Sequence, residues 1–227
     1  MKKALLITLM LLFTAAGLMA EQARNIELVD MPTANTMIQG ELRWDIKFHP
    51  FGGILNRLYI GLFDRLMLGG AFNMRNLIGS GGITFEMPPK FLAKIRITDD
   101  DGYVPAISAG YEGEGYMDVP AKGLFIAVTK EFELGVIGQA TLDVYTNEFS
   151  NFGSDIGVGL GFAFAITREF VVCLEYDGIF SQNHSHINLG LGYFFDPIEI
   201  DVGFKYGLTE NDFRLARMLK ILYITYF

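Results

Sequence analysis

The chain has 227 residues, 51% of them hydrophobic and 14% aromatic, with a net charge of −8 and one cysteine. Acidity on that scale argues against nucleic acid as a partner, and a lone Cys173 rules out an intramolecular disulfide framework. Beyond residue 20 no run of about eighteen apolar residues occurs, so the abundant apolar material has to be carried on strands with alternating faces and not on a membrane-crossing helix.

Residues 1–20 begin with Lys2 and Lys3, continue as an apolar run from Ala4 to Leu18, and end Leu18-Met19-Ala20 before Glu21. These are the charged, apolar and small-residue regions of a cleaved signal peptide. Losing Lys2 and Lys3 with it takes the net charge from −8 to −10. No cysteine stands at the cleavage site, so a lipid-anchored N-terminus is not expected. Residues 21–35 are expected to form a periplasmic lead-in, and residues 36–227, which no linker divides, a single domain.

The first predicted strand, 36–48, sets Gln39, Glu41, Arg43, Asp45 and Lys47 on one face and Ile38, Leu42, Trp44, Ile46 and Phe48 on the other. Further strands are predicted at 54–62, 66–74, 90–98, 103–111, 123–131, 134–145, 156–167, 170–179, 187–195, 198–207 and 218–227. Lys94 and Arg96 oppose Phe91, Ala93, Ile95 and Ile97, while Glu199, Asp201 and Lys205 oppose Ile198, Ile200, Val202 and Phe204. In 156–166 the division is by size: Gly157, Gly159, Gly161, Ala163 and Ala165 face away from Val158, Leu160, Phe162, Phe164 and Ile166, which leaves room inside for long side chains opposite. The strands at 54–62 and 123–131 alternate poorly. Tyr and Phe recur near strand ends, as at Tyr59, Phe63, Tyr145, Phe170 and Tyr206, where interfacial girdles would put them.

Short turns at Phe63-Asp64-Arg65, Asp99–Gly102, Phe132-Glu133, Arg168-Glu169 and Asp196-Pro197 alternate with longer connections. That rhythm predicts an all-β fold, a closed antiparallel up-and-down transmembrane β-barrel of about twelve strands, with about ten or fourteen as the neighbouring even counts, in a bacterial outer membrane.

The last strand, with Leu219, Ile221, Tyr223, Thr225 and Phe227 on one face, resembles the C-terminal signal by which outer-membrane proteins are recognised for assembly. The resemblance implies outer-membrane lipid and the barrel-assembly machinery as partners. A narrower resemblance joins Gly69-Gly70-Ala71, Asn76–Gly81, Pro105–Glu112, Lys122–Lys130, Glu175-Tyr176-Asp177 and Arg217–Ile221, which are similar to the YjbH-like outer-membrane proteins associated with exopolysaccharide export. It covers about a third of this much shorter chain and implies surface polysaccharide or export components as candidate partners.

Chemistry is sparse. Asn183, His184 and Ser185 match the residue types of outer-membrane phospholipases, but adjacent loop residues rarely orient a nucleophile and its base. His184 and His186 alone make a weak metal site, and Asp99–Gly102 is explained by turn chemistry without calcium. Gly79–Gly82 and Gly157–Gly161 lack the residues of a phosphate loop, and Cys173 has no histidine partner in view. No cofactor, metal or catalytic residue is expected. The candidate functional residues are the polar set Gln39, Glu41, Arg43, Asp45, Lys47, Lys94, Arg96, Asp143, Glu175, Asp177, Glu199, Asp201 and Lys205, read as lining the lumen. Its mixed charges suit a neutralised network that closes the passage or leaves it narrow. The sequence therefore reads as a non-enzymatic structural or envelope-export component, with a porin-like small-solute or ion channel as one alternative and a lipid hydrolase as the other.

Overall fold

The computed structural model describes residues 25–79, 81–116, 121–133, 137–146, 156–181, 184–209 and 215–227; the predicted signal peptide, 1–20, lies outside them. They form thirteen strands in one antiparallel sheet. In chain order these are β1 (Glu41–His49), β2 (Gly53–Leu62), β3 (Leu66–Arg75), β4 (Thr84–Phe85), β5 (Lys90–Thr98), β6 (Ala106–Glu112), β7 (Gly123–Glu133), β8 (Ile137–Thr146), β9 (Ile156–Ala165), β10 (Phe170–Asp177), β11 (His186–Phe195), β12 (Ile198–Gly207) and β13 (Ala216–Tyr226).

β1 pairs with β13 on one side and β2 on the other, and the ladder runs on through β3, β5 and each later strand, so the sheet closes. Twelve strands make the wall; β4 is a short arm joined only to β3, through Met74↔Phe85 and Arg75↔Thr84. Closure matters because hydrocarbon offers no partner for an open sheet edge. Outward-facing Trp44, Leu58, Ile95, Ile126, Leu142 and Leu174 are 44–54% exposed, whereas inward-facing Asp45, Lys47, Lys94, Asp143 and Glu175 are at most 3% exposed. A wall greasy outside and ionic inside is the arrangement a bilayer requires.

The predicted strands at 90–98 and 198–207 coincide with β5 and β12, where alternation is cleanest. The poorly alternating strands exist as β2 and β7. Their inward rows contain Leu55 and Tyr59, and Phe125 and Ala127, which are apolar because they pack on apolar groups within the barrel.

β1 begins at Glu41, five residues later than predicted, and the reason sits at Gly40. Its φ is +79°, a left-handed conformation that glycine adopts freely, and an added Cβ would lie 2.8 Å from the Phe227 carbonyl oxygen. The Gly40 N–H donates to the Gly61 carbonyl at 3.1 Å and its carbonyl accepts from the Phe227 N–H at 3.1 Å. Here the chain turns from the barrel interior into the wall.

A hairpin in the lumen

The segment expected as a periplasmic lead-in lies, over residues 26–37, inside the barrel. Met31, Thr33, Ala34, Thr36 and Met37 are fully buried. Leu28 N–H donates to the Met31 carbonyl at 2.9 Å, Glu27 bridges Pro32, and Thr33 N–H donates to the Ile26 carbonyl at 3.1 Å, so residues 26–33 form a hairpin with Val29 and Asp30 at its tip. From there the chain leans on the wall, with Ala34 N–H donating to Thr129 Oγ1 at 2.8 Å, and leaves the lumen past Gln39.

Its seat was visible in the size-divided strand, though with a different occupant. The row Gly159, Gly161 and Ala163 on β9, with Gly190 on β11 and Gly203 on β12, makes a floor that carries no side chain larger than a methyl. Ala163 packs with Leu28 and Met31, and a Cβ on Gly190 would stand 2.7 Å from Val29 Cγ2. Instead of long side chains from the opposite wall, the hairpin fills the space. Cavities of about 30 Å³ flank it on two sides, with one of about 10 Å³ beside Arg43 and Asp45, room for a water or two and no solute.

Electrostatics hold the hairpin in place. Asp30 pairs with Lys205 at 2.5 Å and Lys47 at 3.1 Å and accepts from Tyr116 Oη at 2.6 Å; Glu27 pairs with Arg57 at 2.6 Å and Lys47 at 3.1 Å. Burial alone would lift the Glu27 carboxyl, but Arg57 and Lys47 hold it down to about 2, and against the same burial Lys205 and Lys47 hold Asp30 well below the usual carboxylate range. In the same cross-strand row as Lys205, with Asn188 between them, the Glu175 carboxylate accepts the N–H groups of Val29 at 3.0 Å, Asp30 at 3.0 Å and Met31 at 3.2 Å, and it also accepts from Asn188. Lys94 donates to the carbonyls of Ile26 at 2.8 Å and Thr33 at 3.1 Å. The hairpin thus presents its carboxylates to Lys47, Arg57 and Lys205 and the N–H groups of its tip to Glu175. Tyr116, from the connection after β6, covers it, its ring 5.0 Å from Lys47 Nζ and 5.3 Å from Lys205 Nζ.

The rest of the predicted polar set is distributed as follows. Glu41 pairs with Arg43, and Asp45 with Arg57. Asp177 and Asp143 share Lys122, at 2.6 and 3.7 Å. Asp201 pairs with Lys220 at 2.7 Å, with buried Glu199 alongside. Arg96 lies at the rim, 3.0 Å from Asp99. Gln39 is not in the lumen: it is exposed at the same rim, its N–H donating to Asp64 Oδ1 at 2.7 Å, because Gly40 breaks the alternation before the strand begins. Arg57, Glu112, Tyr116, Lys122 and Lys220 join the inner network although composition and spacing did not single them out. Arg57 is hidden by the apolar inward neighbours of β2, and Tyr116 and Lys122 come from a connection.

Leu219, Ile221, Tyr223, Thr225 and Phe227 face outward on the last strand, alternating with buried Met218, Lys220, Leu222 and Ile224. Ser185 and His186 are buried, His186 opposite Asp177 in the sheet, while Asn183 lies outside the described residues. The carboxylates of Asp100 and Asp101 accept the N–H groups of Gly102, Tyr103 and Val104, as a tight turn demands.

The fold is similar to that of a protein described as KdgM porin, with a TM-score of 0.51 and 9% identity over 81% of this chain and 98% of that one. It is also similar to the outer membrane protein Omp33 of Acinetobacter baumannii, with a TM-score of 0.50 and 11% identity over 84% and 98%. At this identity the likeness concerns the fold. No family model and no curated protein matches the sequence, and nothing in these comparisons supports the exopolysaccharide-associated resemblance. A closed barrel with an apolar exterior and neighbours of this kind belongs in a bacterial outer membrane.

Proposed function

We propose that this outer-membrane barrel is a small-solute channel whose passage is sealed at rest by residues 26–33. One observation carries the reading: the seal is not part of the wall. Every wall strand keeps two hydrogen-bonded neighbours without it, so the hairpin can leave while the barrel stays closed to lipid. The likeness of the fold to that of a protein described as a porin supports the reading. On this proposal the channel, an alternative in the sequence, comes ahead of the structural reading.

The test is single-channel recording in planar bilayers from the wild type and from Gly190→Val, whose new methyls would collide with Val29. Rare openings in the wild type and frequent ones in the variant are expected. Silence from both, with the barrels folded by heat-modified gel mobility, refutes the channel.

A second reading uses the same closure: an envelope component tied to polysaccharide export, as the resemblance carried by the short segments from Gly69-Gly70-Ala71 to Arg217–Ile221 suggests. Unchanged surface polysaccharide in a deletion strain would count against it. The outward row ending at Phe227 is proposed to engage the barrel-assembly machinery; Phe227→Ala is expected to lower the yield of inserted protein, and equal insertion would remove that role.

A further inference from the structure

Lys47 on β1, Lys94 on β5 and Lys205 on β12 are 2–3% exposed, and they share an unusual property. Among the described residues, the hydrogen-bond and ion-pair partners of all three lie on the hairpin. Lys47 reaches Glu27, Asp30 and the Val29 carbonyl, each at 3.1 Å; Lys205 reaches Asp30 at 2.5 Å; Lys94 reaches the Ile26 and Thr33 carbonyls. The other wall charges differ, since Glu41 and Arg43, Asp45 and Arg57, Lys122 and Asp177, and Asp201 and Lys220 keep each other as partners whatever the hairpin does.

Withdrawing residues 26–33 therefore uncovers three ammonium groups at once, against the single carboxylate of Glu175, which keeps Asn188. A cation stripped of its partner in a confined polar space requires another anion. Glu27 and Asp30 show what suits it: two carboxylates on one short scaffold, one between Lys47 and Arg57 and the other between Lys47 and Lys205, under the Tyr116 hydroxyl.

We infer that Lys47 and Lys205 form the core of a binding site for a solute bearing two carboxylates, with Lys94 a further ammonium at the base of the hairpin, and that the hairpin occupies it as a built-in stand-in for that solute. The entry route rests on the channel reading above; the site itself does not. In the closed barrel Glu27 and Asp30 compete with any diffusible dianion. Neutralising them should empty the site of anionic charge and open it to one.

The experiment uses the full chain folded in detergent micelles, with adipate as the dicarboxylate probe. Adipate is expected to bind the Glu27→Gln/Asp30→Asn protein in calorimetry and to bind the wild type at least about tenfold more weakly, since charge-assisted pairs dominate such sites. Adding Lys47→Gln and Lys205→Gln to the double variant should abolish binding, while Lys47→Arg should retain it. In bilayers, openings of the double variant should favour chloride over potassium, a preference lost with the lysine substitutions. Adipate binding without any current would sink the channel and leave the site standing. Absence of adipate binding to a folded double variant, or binding indifferent to the lysines, would overturn the inference.

Discussion

Neutralising Asp30 by Asp30→Asn should release the hairpin while the wall stays intact. The side chain keeps its shape, but the ion pairs to Lys205 at 2.5 Å and Lys47 at 3.1 Å are lost. Removing one partner from a buried pair costs about 3–5 kcal/mol. Lys47 still has Glu27 whereas Lys205 loses its ion pair, so at least the lower end, about 3 kcal/mol, applies, and at about 1.4 kcal/mol per decade it shifts the docked-to-undocked ratio by roughly a hundredfold or more. Nature has supplied the probe: Cys173, the only cysteine, packs against the clusters that include Val29, Leu28 and Met31. When opening is fast relative to modification, the rate at which a charged methanethiosulfonate modifies Cys173 follows the undocked fraction. A rise of about a hundredfold is expected for Asp30→Asn, and no change for Asp101→Asn in an exposed turn. An unchanged rate in folded Asp30→Asn protein would refute the electrostatic account of the seal.

Acid should act in the same direction. Glu27 is held down to about 2 from an ordinary value of about 4.5, so its contribution is complete above about pH 4.5 and is lost as pH falls toward about 2, and Asp30 is depressed in the same direction; channel openings should multiply as the pH falls through that window, and a flat pH profile would contradict it. Glu175→Gln removes the charge that gathers three hairpin N–H groups and should weaken docking by about 1.5–3 kcal/mol, read as faster Cys173 modification. Gly161→Leu puts a side chain where Leu28 and Met31 lie and should displace the hairpin without loss of barrel melting temperature, an overpacking penalty of about 1–3 kcal/mol falling on the hairpin alone. Gly40→Ala should destabilise the entry turn by about 1 kcal/mol, seen as a lower melting temperature.

The wall was legible in the sequence because a period of two is hard to disguise when one side meets lipid and the other charge; β5 and β12 were readable to the residue. The hairpin was not. Residues 25–35 are short and aperiodic, and their partners lie on distant strands, Glu175 about 145 positions away and Lys205 farther still. Its trace was indirect: the row of small residues in β9 announced a vacancy without saying what would fill it. Gln39 was misassigned for a local reason, since alternation continues on paper through Gly40 while the backbone turns there. β4 was missed because a two-residue arm carries no pattern of its own.

Gly40 also fixes the seal's leash. Because that residue is pinned between Gly61 and Phe227, residues 34–40 are, among the described residues, what connects the hairpin to a fixed point, a span of at most about 25 Å when fully stretched. An occupant on so short a tether is never diluted: its effective concentration stays on the order of millimolar whatever the surroundings hold. A free competitor must exceed that threshold, adjusted for relative affinity, before it displaces the segment, so the length of seven residues sets the external abundance at which the passage would begin to clear.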